Sequence, residues 1–282
     1  MKRLSIILTL TLIFSLNLQA QKPIIVHLWP NGAPNSNGCE GNEKETKSIV
    51  TNITDPTITV YPSKRANSKA IIQCPGGGYA FESNGWGAYA PVFNNWDITY
   101  IVLKYRLPNG GHDEATLSDV QEAVRIVRHN AREWNINPNE IGIMGSSAGG
   151  HLAAMASNLY TADSKPDFQI LLYPVITMEE KYTHAGTRKN LLGPDPTPEK
   201  VKRYSMNLQV SEYTPRAFIV LSEDDKTVPP INSIDYYVAL LNHNVSATIH
   251  IYPTGGHGFG MSETMPWRYQ WISELEKWLT TF

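Results

Sequence analysis

The sequence predicts an α/β fold, a mostly parallel central β-sheet flanked by helices, and three observations carry that expectation. From residue 70 onward, short runs rich in β-branched residues alternate with segments of helical periodicity, the rhythm of strands joined by helical crossovers. Several of the strand runs are apolar throughout instead of alternating, as strands buried on both faces are. No linker-like stretch or internal repeat interrupts the 282 residues, so one large core is expected.

The elements follow in order. Residues 1–20, MKRLSIILTLTLIFSLNLQA, begin with Lys2 and Arg3, continue in an apolar run and end on Ala20, the pattern of a cleavable secretory signal peptide. Residues 21–282 are then expected to form a single domain, secreted or periplasmic. IIVHLW (24–29) and ITVYP (58–62) read as an antiparallel lead-in to the sheet. KAIIQC (69–74), ITYIVLKY (98–105), IGIM (141–144), FQILLY (168–173), RAFIVL (216–221) and SATIHIY (246–252) read as its strands. Within 115–134, Leu117, Val120, Val124, Val127, Ala131 and Trp134 recur at spacings of three, four and seven and mark the core face of a helix. Ile231, Ile234, Val238 and Leu241 form the same kind of stripe, as do Trp267, Trp271, Leu275 and Trp278. Residues 177–214, rich in proline and polar side chains, break the rhythm and are long for a crossover; a partial lid is one role for them.

Composition excludes several partners. Setting aside Lys2 and Arg3 leaves 22 basic against 26 acidic side chains, and no basic run follows, so nucleic acid is not an expected partner. The apolar part of the leader, with its interspersed serines and threonines, is short for a span of roughly 20 residues, so no stable membrane insertion is expected once it is cleaved. Cys39 and Cys74 are the two cysteines. They could form one bridge, or Cys74, closing an apolar run, could be a small buried hydrophobe. Oligomeric state is not legible.

The chemistry centres on IGIMGSSAGGHLAAMA (141–156). Of its two serines only Ser147 fits G-x-S-x-G, with Gly145 and Gly149 two residues to either side. A nucleophile on a sharp strand-to-helix turn needs small residues there because strand and helix pass close together. Acyl transfer also develops negative charge on the carbonyl oxygen, which must meet preorganised N–H groups. Ala148, next after the nucleophile, is one expected donor. QCPGGGYAF (73–81) supplies the others, Gly77 first and Gly78 close behind. That loop lacks the spacing of a dinucleotide or P-loop phosphate cradle, so a phosphate-binding role is not expected of it. Tyr79 either walls the acyl pocket or packs.

A serine needs a histidine to take its proton, and the histidine needs a carboxylate to orient it. His257, in YPTGGHGFG (252–260), follows the last strand in a glycine-lined loop. In IVLSEDDKTVPP (219–230), Asp225 is the expected acid, with Asp224 the runner-up. The separations, 78 residues from Ser147 to Asp225 and 32 from Asp225 to His257, leave room for crossovers between them, so the three can meet at the carboxyl ends of different strands. His151 is expected to pack beneath the turn and His250 to face solvent. No histidine forms a metal-ligand cluster, so no metal is expected.

Taken together, PGGGY (75–79), KYRLP (104–108), GSSAGGHLA (145–153), LYPV (172–175), EDDKTVP (223–229) and GGHGFG (255–260) resemble the α/β-hydrolase superfamily, and within it secreted bacterial esterases related to acetylxylan esterases and hormone-sensitive-lipase-like carboxylesterases. The resemblance runs from about residue 55 to the end. It implies an α/β-hydrolase fold, a cofactor-free Ser147–His257–Asp225 triad, and oxyanion donors at Gly77 and Ala148. Pro75 stands where the related loops carry histidine. The substrate so implied is an acetylated plant oligosaccharide or polysaccharide such as xylan, or another small ester. The alternatives are a general short-chain carboxylesterase or feruloyl esterase, a serine peptidase of the same fold, and a non-catalytic binding protein.

Overall fold

The structure is a computed structural model that describes residues 22–282; the expected signal peptide lies outside the described residues. Eight strands form the main sheet: β1 (Ile24–His27), β2 (Thr57–Tyr61), β3 (Ser68–Cys74), β4 (Thr99–Lys104), β5 (Ile136–Ser146), β6 (Phe168–Leu172), β7 (Arg216–Ser222) and β8 (Ala247–Tyr252). Their spatial order is β1-β2-β4-β3-β5-β6-β7-β8. β2 runs antiparallel to both β1 and β4, and every other pairing is parallel. The apolar runs of β3, β5, β6 and β7 are buried as expected of central parallel strands.

Among the described residues there are seven α-helices: α1 (Ala90–Asn95), α2 (Asp113–His129), α3 (Ala148–Asn158), α4 (Ala185–Leu192), α5 (Pro198–Arg203), α6 (Ile231–Asn242) and α7 (Arg268–Leu279). The chain leaves β3 toward β4 on one side and leaves β5 toward β6 on the other. Connections therefore diverge between β3 and β5, which opens a crevice at their carboxyl ends. Cys74 pairs with Gly145 in register, so the loop after β3 and the turn after β5 start side by side.

The stripes of α2 and α7 face the core as their spacing predicts: Leu117, Val120, Val124 and Val127 are buried, as are Trp271, Leu275 and Trp278. Each large aromatic so placed is worth about 3–5 kcal/mol against truncation to alanine. The KYRLP segment has a structural cause. Arg106 and Asp119 form a buried pair in which both Nε and Nη2 of Arg106 donate to the carboxylate, and Trp29 Nε1 donates to it at 2.7 Å. Removing one partner would leave a bare buried charge, at a cost of about 3–5 kcal/mol.

Two expectations require correction, the α6 stripe and His250. In α6 the buried side chains are Asn232, Ser233, Tyr236 and Leu240, while Val238 and Leu241 are each 47% exposed. The inward face is polar because Asn232 accepts the Ile176 and Thr177 N–H groups and donates to the Tyr182 carbonyl, and Tyr236 donates to Gln169. His250 is only partly exposed and lies 4.9 Å from the Phe218 ring, and burial lowers its pKa. Cys39 and Cys74 are both free, and Cys74 is buried. Residues 177–214 are folded, carrying α4 and α5 and sending Leu191, Leu192, Tyr204 and Met206 into the core. A small sheet of Lys44–Glu45, Ile49–Thr51 and Glu82–Ser83 was not legible, since strands of two or three residues carry no period.

Candidate active site

Ser147 sits between β5 and α3 with φ 54° and ψ −122°, a left-handed conformation that costs a serine of order 1–3 kcal/mol and persists only where the surroundings impose it. Three contacts do so: the Ser147 N–H donates to the Leu172 carbonyl at 3.0 Å, and the Ser147 carbonyl accepts from His151 and Val175, each at 3.1 Å. The flanking glycines explain the motif. A Cβ on Gly145 would overlap the backbone of Gly149, and one on Gly149 would overlap the Cys74 and Pro75 carbonyls.

Ser147 Oγ lies 2.8 Å from His257 Nε2, and His257 Nδ1 lies 2.7 Å from Asp225 Oδ2. The other Asp225 oxygen accepts the Thr227 and Val228 N–H groups, each at 2.9 Å, which fixes a carboxylate that is almost wholly buried. Asp224 faces elsewhere, accepting the Gly256 N–H at 2.8 Å. The two adjacent acids divide the work: one touches the imidazole, the other the backbone just before it. Tyr173, at φ 36°, completes the arrangement. Its ring stands edge-on to His257 at 4.9 Å, and its hydroxyl accepts the Gly260 N–H at 3.0 Å. Burial raises the Tyr173 pKa, so the phenol stays protonated.

Gly76 packs against the turn so closely that a Cβ there would lie 3.3 Å from Ser147 Cβ. Gly77, at φ 141°, accepts the Ala80 and Phe81 N–H groups. Among the described residues, the amides of Gly77, Gly78 and Ala148 donate to no protein acceptor, so all three are free to meet an incoming oxygen. Asn190 of α4 donates to the Gly78 carbonyl at 2.9 Å and steadies the loop.

Tyr79 does not wall the pocket. It is buried beneath the loop, its hydroxyl 3.0 Å from His151 Nδ1, while His151 Nε2 lies 2.8 Å from the Tyr204 carbonyl. The carbonyl can only accept, so His151 carries its proton on Nε2 and accepts from Tyr79. Burial holds its pKa down to about 4 against the opposing carbonyl, so it packs beneath the turn as a neutral ring.

A cavity of about 460 Å³ opens over Ser147 and His257. Phe81 and Trp86 are among its apolar lining residues, and His184, Asn190 and Thr227 among its polar ones. Sequence reasoning left Tyr173 and His184 without roles. Tyr173 lies in the LYPV segment, but no spacing ties a residue after β6 to a histidine loop after β8. Among the described residues no cluster of His, Cys, Asp and Glu could hold a metal ion, and no helix is long and apolar enough to cross a membrane.

The chain is similar to several known proteins. An acetylxylan esterase of Xylanibacter ruminicola is 38% identical over 242 residues, which are 83% of this chain and 50% of that protein. Endo-1,4-beta-xylanase B of Butyrivibrio fibrisolvens is 35% identical over 203 residues, 67% of this chain and 32% of that protein. The chain thus spans about half the length of the first and about a third of the second. The solved structure of an acetyl ester-xyloside bifunctional hydrolase from Caldicellulosiruptor lactoaceticus superposes with a TM-score of 0.79 at 31% identity, covering 92% of this chain and 96% of that one. The fold is the α/β-hydrolase fold, and with residues 58–240 matching its pattern the chain belongs to the BD-FAE family.

Proposed function

We propose that this chain is a serine carboxylic-ester hydrolase that removes acetyl groups from xylan or a related plant polysaccharide or oligosaccharide. The observation that carries the reading is the unbroken contact from Ser147 Oγ through His257 to Asp225 on a left-handed strand-to-helix turn. The relatives that act on acetylated xylan or xylosides support the choice of substrate.

In the reaction, Ser147 Oγ attacks the acetyl carbon as its proton passes to His257 Nε2, and Asp225 stabilises the imidazolium. The carbonyl oxygen becomes an oxyanion facing the free amides of Gly77, Gly78 and Ala148. As the tetrahedral carbon collapses, His257 protonates the departing sugar oxygen, leaving acetyl-Ser147. A water then gives its proton to His257 and attacks the acyl carbon, and acetate leaves as Ser147 regains its proton. No cofactor enters these steps.

The test is hydrolysis of acetylated xylo-oligosaccharides and 4-nitrophenyl acetate by the purified protein and by Ser147→Ala. The wild type should release acetate from both, and the variant should lose several orders of magnitude in kcat. Undiminished turnover in Ser147→Ala would remove the serine mechanism. Preference for an amide or a feruloyl ester by more than about tenfold would replace the acetyl reading by peptidase or feruloyl esterase. The basic start, apolar run and Ala20 of residues 1–20 further support export from the cytoplasm with cleavage before Gln21. N-terminal sequencing of the protein recovered outside the cytoplasm would check that.

A further inference from the structure

His184 and Asn190, from the segment between β6 and β7, supply part of the polar lining of the cavity, and His184, at the start of α4, borders it together with His257. His184 Nδ1 receives the Thr187 backbone N–H at 3.2 Å and lies 2.8 Å from the Thr187 hydroxyl, capping the helix. A backbone amide can only donate. Nδ1 must therefore present its lone pair, and the ring proton of the neutral imidazole resides on Nε2. Burial first, and the nearby His257 second, hold the His184 pKa below its ordinary value, which keeps the ring neutral at pH 7. Among the described residues Nε2–H meets no protein acceptor.

The position of that donor restricts what it can serve. A Cβ on Gly78 would lie 3.6 Å from His184 Cε1, so the ring stands beside the glycine loop. Phe81 and Trp86 suit the acetyl methyl group, which needs apolar contact and no hydrogen bond. A sugar leaving group instead carries hydroxyls beside the ester-bearing oxygen, and each needs a partner once water is excluded. We propose that His184 is a specificity-determining residue whose Nε2–H donates to a hydroxyl oxygen of the leaving saccharide, adjacent to the acetylated one. This rests on the acetyl-saccharide reading of the site. The tautomer is set by α4 itself, so the donor is aligned before substrate arrives.

The experiment compares three esters: a methyl xyloside monoacetate with its neighbouring hydroxyl free, the corresponding deoxy monoacetate, and 4-nitrophenyl acetate. Wild type and His184→Asn are measured on each. Asparagine is a good helix cap and still accepts the Thr187 N–H, but its shorter side chain withdraws the donor from the cavity. Wild type should favour the hydroxyl-bearing xyloside over the deoxy one by about tenfold in kcat/KM, as loss of one hydrogen bond to a neutral group implies. In His184→Asn that preference should fall below about twofold, whatever loss the three esters share. A preference that survives in the variant, or an equal loss on all three esters with the preference intact, overturns the assignment; the latter would place the donor on the oxyanion. Absence of discrimination by the wild type alone overturns it without any variant. If wild type turns over the aryl acetate and neither xyloside, the saccharide reading itself has failed, and that result is recognisable before the variant is made.

Discussion

His151 offers a stability test whose size follows from the structure. Its ring is fully buried beneath Ser147, between the Tyr79 hydroxyl and the Tyr204 carbonyl, with its pKa lowered from 6.5 to about 4. The unfolded chain takes up a proton on this residue as pH falls below about 6.5, whereas the folded chain does not until about 4. Folding stability from this site is therefore present above pH 6.5 and lost as pH falls through that window. Linkage puts the loss at about 2 kcal/mol by pH 5 and about 3 kcal/mol by pH 4. The assay is urea unfolding at pH 7 and pH 5 for wild type and His151→Gln. Glutamine can still donate to Tyr204 and accept from Tyr79, so the variant should fold while lacking the titrating group. Carboxylates common to both proteins cancel in the difference. The stability gap between the two should shift by about 2 kcal/mol in favour of the variant on going from pH 7 to pH 5. Parallel pH profiles would refute the argument, for His151 would then titrate as in the unfolded chain.

Asp225→Asn should lower kcat by about three to four orders of magnitude, because an amide N–H facing His257 Nδ1 forces the wrong tautomer. Asp224→Ala, which removes only the acceptor of the Gly256 N–H, should cost less than about tenfold; steady-state kinetics on 4-nitrophenyl acetate separates the two, and equal losses would sink the division of labour between the acids. Tyr173→Phe keeps the ring against His257 but strands the Gly260 N–H, an unsatisfied donor worth about 1–3 kcal/mol. A fall of about tenfold in kcat with little change in KM is expected, and a change confined to KM would place Tyr173 in substrate binding instead.

The parts of this protein legible in the sequence are those whose cause is local. A strand buried on both faces must be apolar throughout, so β3, β5, β6 and β7 announce themselves. The glycines around Ser147 are demanded by backbone contacts within a few residues of the motif and by the neighbouring loop, and the chain order serine, aspartate, histidine follows from which strands end at the crevice. What was not legible depends on distant partners. Whether Tyr79 faced the pocket or packed was settled by a histidine 72 residues away. The inward face of α6 is polar because Asn232 bonds amides 55 and 56 residues upstream, which no hydrophobic count can reveal. His184 gains its meaning from the fold of a segment with weak periodicity.

The interlock of Gly76 and Gly149 with their neighbours has a consequence for how such a protein can change. Gly149 packs on the carbonyls of Cys74 and Pro75, and Gly76 on Ser146 and Ser147, so the Ser147 turn and the glycine loop are seated directly on each other. Neither can be displaced without the other, and they behave as one mechanical part. Trp86 and His184 border the cavity without being part of that interlock, so they are the places where a bulkier acid or a different alcohol could be accommodated first. On the proposed function, the interlock and the residues beyond it are separately mutable pieces of one chain, and a library confined to the second should alter which esters are accepted while the first is inherited intact.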